Sequence, residues 1–251
     1  MLEITNLVKK YKNSDKLAVN DISLTVGEGE VFGFLGPNGA GKSTTIKCAC
    51  GILPFDSGSI RICGKSIKDE PIAAKKNIGY VSDNHALYDR LTAREYLNFV
   101  CDIYGVGLND RKSRADKYLS VFGLTDAYDT PIRSYSHGMK QKICVIGALI
   151  HNPKLWVLDE PMTGLDPKSA YELKELMKEH CKEGNSVFFS SHVLEVVEKV
   201  CDKVAIIDDG KLATSFDIAD LKAMKDNKSL EDVFLSLTED KPENGEVKFD
   251  L

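Results

Sequence analysis

A glycine-rich segment, GPNGAGKST, extends from Gly36 to Thr44 between two segments of different character. The apolar, strand-like VFGFL precedes it, and the helix-like TTIKCACGIL overlaps its end. The spacing G-x-x-x-x-G-K-[ST] at a junction of strand and helix is the pattern of a phosphate-binding loop. Glycines let the backbone turn so that successive N–H groups point inward, and the start of a helix adds partial positive charge. This feature predicts an α/β protein that holds a nucleoside triphosphate.

Two side chains at the end of the loop suit a triphosphate. Lys42 offers a mobile point charge for the β and γ phosphates. The Ser43 hydroxyl can bind Mg²⁺ alongside waters and phosphate oxygens. These residues alone do not separate kinases from GTPases and ATPases.

An acidic pair follows the apolar run LWVL, within the segment Leu155–Pro161. Such a run indicates a buried strand, which would hold Asp159 and Glu160 at the edge of the sheet where α/β proteins bind ligands. Asp159 is then expected to bind Mg²⁺ directly or through water, and Glu160 to orient or deprotonate the attacking water. Without Lys42 and Ser43, the pair would be more typical of a solvated turn.

His192 follows another strand-like run, SVFFSS, and precedes a helical segment. A lone histidine is usually structural or exposed. Beside a phosphate site, His192 becomes a candidate sensor of the γ-phosphate and a catalytic residue.

The rest of the chain indicates how these segments are organised. Short apolar or β-branched runs alternate with helical ones, which favours a largely parallel sheet covered by helices. From about residue 85 to residue 150 strand signals are replaced by amphipathic helical patterns. Thr92 and Glu95 form a capping-box pattern at the start of that region, and the cluster of Gly105 and Gly107 is expected to end its first helix.

Composition limits the possible partners and compartments. The net charge of −5 argues against a protein that wraps nucleic acid, so no nucleic acid is expected. No apolar stretch approaches the roughly 18–20 residues that cross a bilayer, and the N-terminus lacks a secretory signal. The seven cysteines lack metal-ligand spacing and are expected to be reduced, mostly buried thiols. A cytoplasmic chain is expected.

In their order, these motifs resemble the ATP-binding subunits of ABC transporters, from Met1 to about Leu237. Gly36–Ser43 resembles the Walker A motif, Leu155–Asp159 the Walker B motif and Gly164–Asp166 the D-loop. Tyr11 lies where the family places an aromatic that stacks on adenine, although an exposed tyrosine at a strand end is the alternative. The resemblance implies that the nucleotide-binding residues are Tyr11, Gly36, Pro37, Asn38, Gly39, Ala40, Gly41, Lys42, Ser43, Thr44, Asp83, Ser136, Gly138 and Asp166, and that the metal ligands are Ser43, Asp83 and Asp159.

Two motifs depart from the family pattern. Tyr135–Met139, YSHGM, resembles the signature motif LSGGQ in the variant of the ABC-2, mainly export, branch. Ser136 and Gly138 still offer donors to a phosphate. Because Met139 cannot complete a capping box, capping is not expected to be the better explanation for Ser136. Asp83 occupies the glutamine position of the Q-loop, and its side chain is shorter.

The resemblance also implies an architecture: a P-loop NTPase (RecA-like) core, an N-terminal antiparallel β subdomain and an inserted α-helical subdomain. One ABC ATPase domain is expected over residues 1–216. Its core and β subdomain would take residues 1–84 and 151–216, and its helical subdomain residues 85–150. A C-terminal helical extension and charged tail would occupy residues 217–251.

The implied cofactors are ATP and Mg²⁺, and the implied partners are a separate transmembrane permease and a second, identical ATP-binding subunit arranged head to tail. The protein would then be peripheral on the inner face of the cell membrane. Residues 83–99 would transmit the cycle to the permease, with Leu87, Tyr88 and Leu91 in a docking groove; packing within the helical subdomain explains them equally well. The alternatives are a soluble ABC-fold ATPase acting on ribosomes or DNA and a P-loop kinase or GTPase.

Overall fold

A computed structural model describes residues 1–83, 88–223 and 229–238. The described strands are Leu2–Lys10 (β1), Leu17–Val26 (β2), Val31–Leu35 (β3), Ser57–Ile62 (β4), Lys65–Ser66 (β5), Ile78–Val81 (β6), Leu155–Asp159 (β7), Ser186–Ser191 (β8), Lys203–Asp208 (β9) and Lys211–Asp217 (β10). The described α-helices are Lys42–Ala49 (α1), Pro71–Lys75 (α2), Ala93–Tyr104 (α3), Leu108–Phe122 (α4), His137–Leu149 (α5), Pro167–Lys182 (α6), Leu194–Val200 (α7), Ile218–Ala223 (α8) and Leu230–Thr238 (α9).

The larger sheet has the strand order β10-β9-β3-β8-β7-β6. Strands β9, β3, β8, β7 and β6 are parallel, and β10 pairs antiparallel with β9 at the edge. Every residue of β3, β7 and β8 is buried, because helices or the second sheet cover both faces. This explains why these strands appear in the sequence as unbroken apolar runs, and it confirms the predicted, largely parallel sheet.

The second sheet is antiparallel, in the order β2-β1-β4-β5. Its buried face packs on Phe32 and Phe34 of β3, and Leu2, Ile4 and Leu7 are among the buried residues of this shared core. The antiparallel β subdomain implied by the family resemblance is therefore present. The sequence patterns did not locate β4, β5 or β10, because SGSIRI and KLATSFD are half polar and only partly buried.

Helices form the region between residues 88 and 150, which the structure describes completely. It contains α3, α4 and α5, two 3-10 turns (Thr125–Ala127 and Ile132–Ser134) and one isolated bridge. The predicted capping box is confirmed, since Thr92 Oγ1 accepts from the Glu95 amide and Glu95 Oε2 accepts from the Thr92 amide. Gly105 ends α3 with a φ of 68°, whereas Gly107 lies at the N-cap of α4. The subdomain bounds stay predictions.

The described end of the chain returns to the larger sheet. Leu230 of α9 is buried, and Val233 and Phe234 pack against the main core. The predicted charged tail, EDKPENGEVKFDL from residue 239 onward, lies outside the described residues, as does Leu87. The seven cysteines are free thiols, five of them buried, with Cys63 exposed and Cys144 half-buried. Within the described parts of the chain, no helix is both long and apolar enough to cross a membrane.

Candidate nucleotide site

The glycine-rich loop joins β3 to α1 at the carboxyl edge of the larger sheet. A Cβ on Gly36 would lie 2.3 Å from the Ile207 carbonyl oxygen, and one on Gly41 would lie 2.3 Å from that of Ala18. Gly41 is also the N-cap of α1, with a φ of 105° that L side chains rarely adopt. The close packing and the backbone conformation therefore both require glycine here.

Lys42 is the first residue of α1, and its side chain turns back into the loop. Its Nζ donates to the carbonyl oxygens of Gly36 at 2.6 Å and Pro37 at 3.1 Å. The same Nζ lies 3.7 Å from Glu160 Oε1. The side chain is 7 % exposed, so the ammonium acts where water screens its charge weakly.

Ser43 and Asp159 link the loop to the end of β7. Ser43 Oγ donates to Asp159 Oδ1 at 3.0 Å, and Ser190 Oγ on β8 donates to the same oxygen at 2.7 Å. Burial raises the pKa of Asp159, and the bonds from Ser190 and Ser43 oppose that change. Asp159 Oδ2 is buried and has no hydrogen-bond partner within residues 1–83, 88–223 and 229–238. A hydroxyl and an unpartnered carboxylate oxygen fit the oxygen ligands that Mg²⁺ takes.

Glu160 follows β7 directly, and its backbone has a φ of 51°. A non-glycine residue in this region carries about 1–3 kcal/mol of strain, which the surrounding structure must hold. Its amide N–H donates to Ser190 Oγ at 2.9 Å. Its Oε2 lies 2.8 Å from His192 Nδ1, so the predicted base and the predicted sensor are in contact.

A cavity of about 390 Å³ lies over the loop. Tyr11 and Asp83 line it, and the Tyr11 hydroxyl lies 3.2 Å from Thr44 Oγ1. Asp83 Oδ1 accepts from Ser82 Oγ at 2.9 Å and lies 3.7 Å from Lys47 Nζ. The predicted residues that line this cavity are Tyr11, Asn38, Gly39, Gly41, Lys42, Ser43, Thr44, Asp83 and Glu160.

His192 lines an adjoining cavity of about 230 Å³ that shares Asn38, Asp83 and Glu160 with the first. Gly36, Pro37, Ala40 and Asp159 lie outside the residues that line either cavity. The structure therefore brings most of the predicted site residues to one place, although they come from distant parts of the sequence.

Of the predicted signature segment Tyr135–Met139, His137 lines the smaller cavity, whereas the two residues expected to bind phosphate do not. Neither Ser136 nor Gly138 is among the described residues that line it. Ser136 is the N-cap of α5, and its Oγ accepts from the Met139 amide at 3.3 Å. Ser136 therefore does cap α5, although capping was not expected to be its better explanation, since a single cap bond needs no glutamate at the third helical position.

Asp166 has a similar structural role at the start of α6. Its carboxylate accepts from the Ser169 amide at 3.0 Å and the Ser169 hydroxyl at 2.6 Å, and it pairs with Lys142 at 3.2 Å. The Ser169 hydroxyl, the Ser169 amide and the Lys142 ammonium hold the pKa of Asp166 well below its usual range. It does not line the cavity either.

Sequence reasoning missed Ser190, which bridges the Asp159 carboxylate and the Glu160 amide. The available signal was the pair of hydroxyl residues that ends the buried run SVFFSS. Ala18 of β2 was also missed, because nothing in its local sequence connects it with the cavity it lines.

Three features of this site define a P-loop nucleotide-binding protein. They are a glycine-rich loop whose lysine turns inward, a serine hydroxyl that donates to a buried aspartate, and a glutamate that contacts a histidine. The family model described as ABC transporter matches residues 19–163. The chain belongs to the ABC transporter family.

Relatives and solved structures agree with this assignment. The linearmycin resistance ATP-binding protein LnrL of Bacillus subtilis (strain 168) is 42 % identical over 212 residues, which cover 84 % of this chain and 68 % of that protein. The Nod factor export ATP-binding protein I of Sinorhizobium fredii (strain NBRC 101917 / NGR234) is 33 % identical over 84 % of this chain and 61 % of its own length. A solved ATP-binding subunit of an ABC transporter is similar in structure, with a TM-score of 0.89 and 30 % identity over 94 % of this chain and 99 % of that one.

Proposed function

We propose that this protein binds ATP with Mg²⁺ in the cavity over the glycine-rich loop and uses ATP hydrolysis to drive an export-type permease encoded as a separate chain. The observation that carries the proposal is that three features meet at one edge of the sheet. They are the Lys42 ammonium, the hydrogen bond from Ser43 to Asp159, and the contact between Glu160 and His192. Membership of the ABC transporter family supports the ATPase activity. The name of one relative, the Nod factor export ATP-binding protein I, supports the direction of transport.

ATP binding uses groups that the loop already presents. The backbone N–H groups at the start of α1 face the phosphates, and the helix adds partial positive charge. Lys42 exchanges its bonds to the Gly36 and Pro37 carbonyls for phosphate oxygens. Tyr11, 42 % exposed at the cavity wall, stacks on the adenine, which contributes about 1–3 kcal/mol.

Ser43 and Asp159 are the residues that would hold Mg²⁺, together with Asp83, which lines the same cavity as Ser43. The ion would neutralise charge on the β and γ phosphates. Ser190 holds one oxygen of Asp159 and so leaves the other, Oδ2, for the ion or for one of its waters. The shorter side chain of Asp83 favours contact through water over direct contact.

Hydrolysis uses Glu160 as the general base. Its carboxylate takes a proton from water while the water oxygen bonds to the γ-phosphorus and the bond to the β,γ-bridging oxygen breaks. His192 holds Oε2 of that carboxylate and would contact the γ-phosphate from the cavity that it lines. Lys42 Nζ lies 3.7 Å from Glu160 Oε1, so a bond from Lys42 to a phosphate oxygen would compete with this pair.

A second copy of the chain completes each site. Ser136 and Gly138 lie at the start of α5 and do not line the described part of their own cavity, so they are available to another subunit. Two identical chains arranged head to tail would place each α5 N-terminus against the other chain's γ-phosphate. Each chain would then supply two half-sites.

The permease is proposed to dock beside the segment 83–99. Tyr88 and Phe99 are exposed and make an edge-on ring contact with centroids 5.6 Å apart. Next to them lies a cavity of about 280 Å³ whose lining includes Ile52, Val100 and Tyr104. Leu91 is only half-buried, and its backbone bonds to Ile132, so part of this segment also serves packing within the helices. An apolar surface of this kind fits a short helix of a membrane protein.

The test is co-purification of tagged Glu160→Gln protein from detergent-solubilised cells with ATP and Mg²⁺. We expect a stoichiometric polytopic membrane protein by mass spectrometry. Glu175→Gln, which changes an exposed carboxylate that pairs with Lys178, is the matched control. Because this variant still hydrolyses ATP, it should co-purify with less of the membrane protein. Ribosomal or DNA-repair partners without a membrane chain would overturn the transport assignment and leave the ATPase chemistry in place.

A further inference from the structure

One face of α5 contacts the loop that carries Glu160. This loop, Glu160–Asp166, joins β7 to α6. Gln141 Nε2 donates to the Pro161 carbonyl oxygen at 2.5 Å, and Lys142 pairs with Asp166. The His137 ring packs so closely on Gly164 that a Cβ there would lie 2.9 Å from it. Contacts at the start, middle and end of the loop therefore tie it to the helix that begins at Ser136.

Gln141 is the buried member of this set. Its side chain is fully buried, and its Oε1 has no hydrogen-bond partner in the described portions of the chain. A buried carboxamide that is only half satisfied is costly, so packing alone does not explain a glutamine at this position. Its bond to Pro161 is the feature that requires a donor here.

Glu160 needs an external restraint of this kind. Its φ of 51° is unfavourable for a non-glycine residue, and the proline that follows it narrows its choices further. Ser190 Oγ holds the peptide before Glu160, and Gln141 holds the carbonyl of the residue after it. One restraint comes from the sheet and the other from α5.

We infer that Gln141 is a positioning residue for Glu160, which couples the placement of α5 to the orientation of the catalytic carboxylate. The inference rests on the proposed function, because it assigns Gln141 an effect through the general base. A shift of α5 when Ser136 meets a second subunit would move the Pro161 carbonyl and, with it, the backbone that carries Glu160. Turnover would therefore depend on the seating of α5, whereas ATP binding would not.

Gln141→Met tests this, since methionine has nearly the same shape and no donor. We expect kcat to fall about 100-fold, as for a misplaced catalytic group. The Kd for ATP with Mg²⁺, measured calorimetrically in the Glu160→Gln background, should change less than twofold. Asn185→Leu is the matched control. Asn185 is also a buried carboxamide, but it directly precedes the N-terminal end of β8, whereas Ser190 lies near the C-terminal end. The control variant should lower the melting temperature and leave kcat within about twofold.

A double variant separates positioning from general damage. If Gln141 acts through Glu160, Gln141→Met should lower single-turnover hydrolysis no further in a Glu160→Gln protein. The inference would be overturned if the rate losses of the two single variants multiplied in the double variant. It would also be overturned if kcat were unchanged in the single Gln141→Met variant. Near wild-type turnover in Glu160→Gln alone would instead overturn the proposed function and this inference together.

The sequence offers a direct readout as well, because Gln141 is its only glutamine. Selective ¹⁵N labelling of glutamine side chains should give one pair of amide signals, protected from exchange with solvent in the resting protein. On adding ATP and Mg²⁺ to Glu160→Ala protein, which keeps Gln141 as its single glutamine, we expect that pair to shift. A pair that exchanges as fast as a free side chain would contradict the bond to Pro161.

Discussion

Helices α1 and α5 both begin at a segment predicted to bind phosphate, yet their surroundings differ. Gly41 caps α1 without a side-chain bond, and the helix start lies in a cavity with Lys42 and Glu160. Ser136 caps α5 with its own hydroxyl, is exposed and does not line that cavity. We propose that the same local device provides most of a phosphate site in one place and a half-site in the other. The difference is set by what the fold packs around each helix.

Replacing Glu160 tests the complete site most severely. Glu160→Gln keeps the size of the side chain and its contact with His192 but removes the base, so kcat should fall about 10²–10⁴-fold while the Kd for ATP stays within twofold. Single-turnover hydrolysis and calorimetry measure the two quantities. Parallel losses of affinity and rate would mean that Glu160 supports binding and not chemistry.

Replacing Lys42 should affect binding itself. Lys42→Ala removes a buried ammonium that would make charge-assisted bonds to phosphate, which contribute about 1.5–3 kcal/mol, so ATP affinity should fall about 10- to 100-fold. Lys47→Ala, which removes a half-buried lysine paired with Asp83, provides a comparison and should have the smaller effect. Unchanged affinity in Lys42→Ala would contradict the account of the loop.

A change of pH should affect the buried core of the larger sheet, where the His180 ring of α6 packs against Trp156 of β7. Burial lowers the pKa of His180 from 6.5 to about 4, so the unfolded chain binds a proton there more readily than the folded chain does. Stability from this group is complete above pH 6.5 and is lost as pH falls toward 4. Between pH 7 and pH 5 the loss is about 2 kcal/mol. Urea unfolding should show a smaller pH dependence in His180→Phe, and an unchanged dependence would exclude His180 as its source.

Ser136 tests the half-site. Ser136→Asp keeps an N-cap acceptor but places negative charge where a second subunit's γ-phosphate would lie, so turnover should fall about tenfold while the melting temperature is preserved. Ser136→Ala should lose about 1 kcal/mol of stability as well. The Kd for ATP of dilute, monomeric protein should not change in either variant. A rate unaffected by Ser136→Asp would leave the cap as the sole role of Ser136.

Local sequence patterns predicted those parts of the molecule whose residues are neighbours in the chain. The phosphate loop, the strands VFGFL, SVFFSS and KVAIID, and the capping box of Thr92 and Glu95 are present as expected. The edge strands β4 and β10 were missed because their partly exposed residues carry no apolar pattern. The role of Ser136 as a cap was misjudged because only the reciprocal capping box was considered, although one hydroxyl suffices.

By itself, the sequence determined the glycine-rich loop and its predicted role in nucleotide binding, because glycine, lysine and serine at that spacing act through local backbone geometry. Only the tertiary structure decided that Ser190 joins Asp159 to Glu160, that Gln141 holds Pro161, and that Ser136 lies outside its own cavity. These contacts join residues that are 20 or more positions apart, and side-chain periodicity carries no information about such distances. The order of the strands supplies that information for Ser190, because β8 lies beside β7 in the larger sheet.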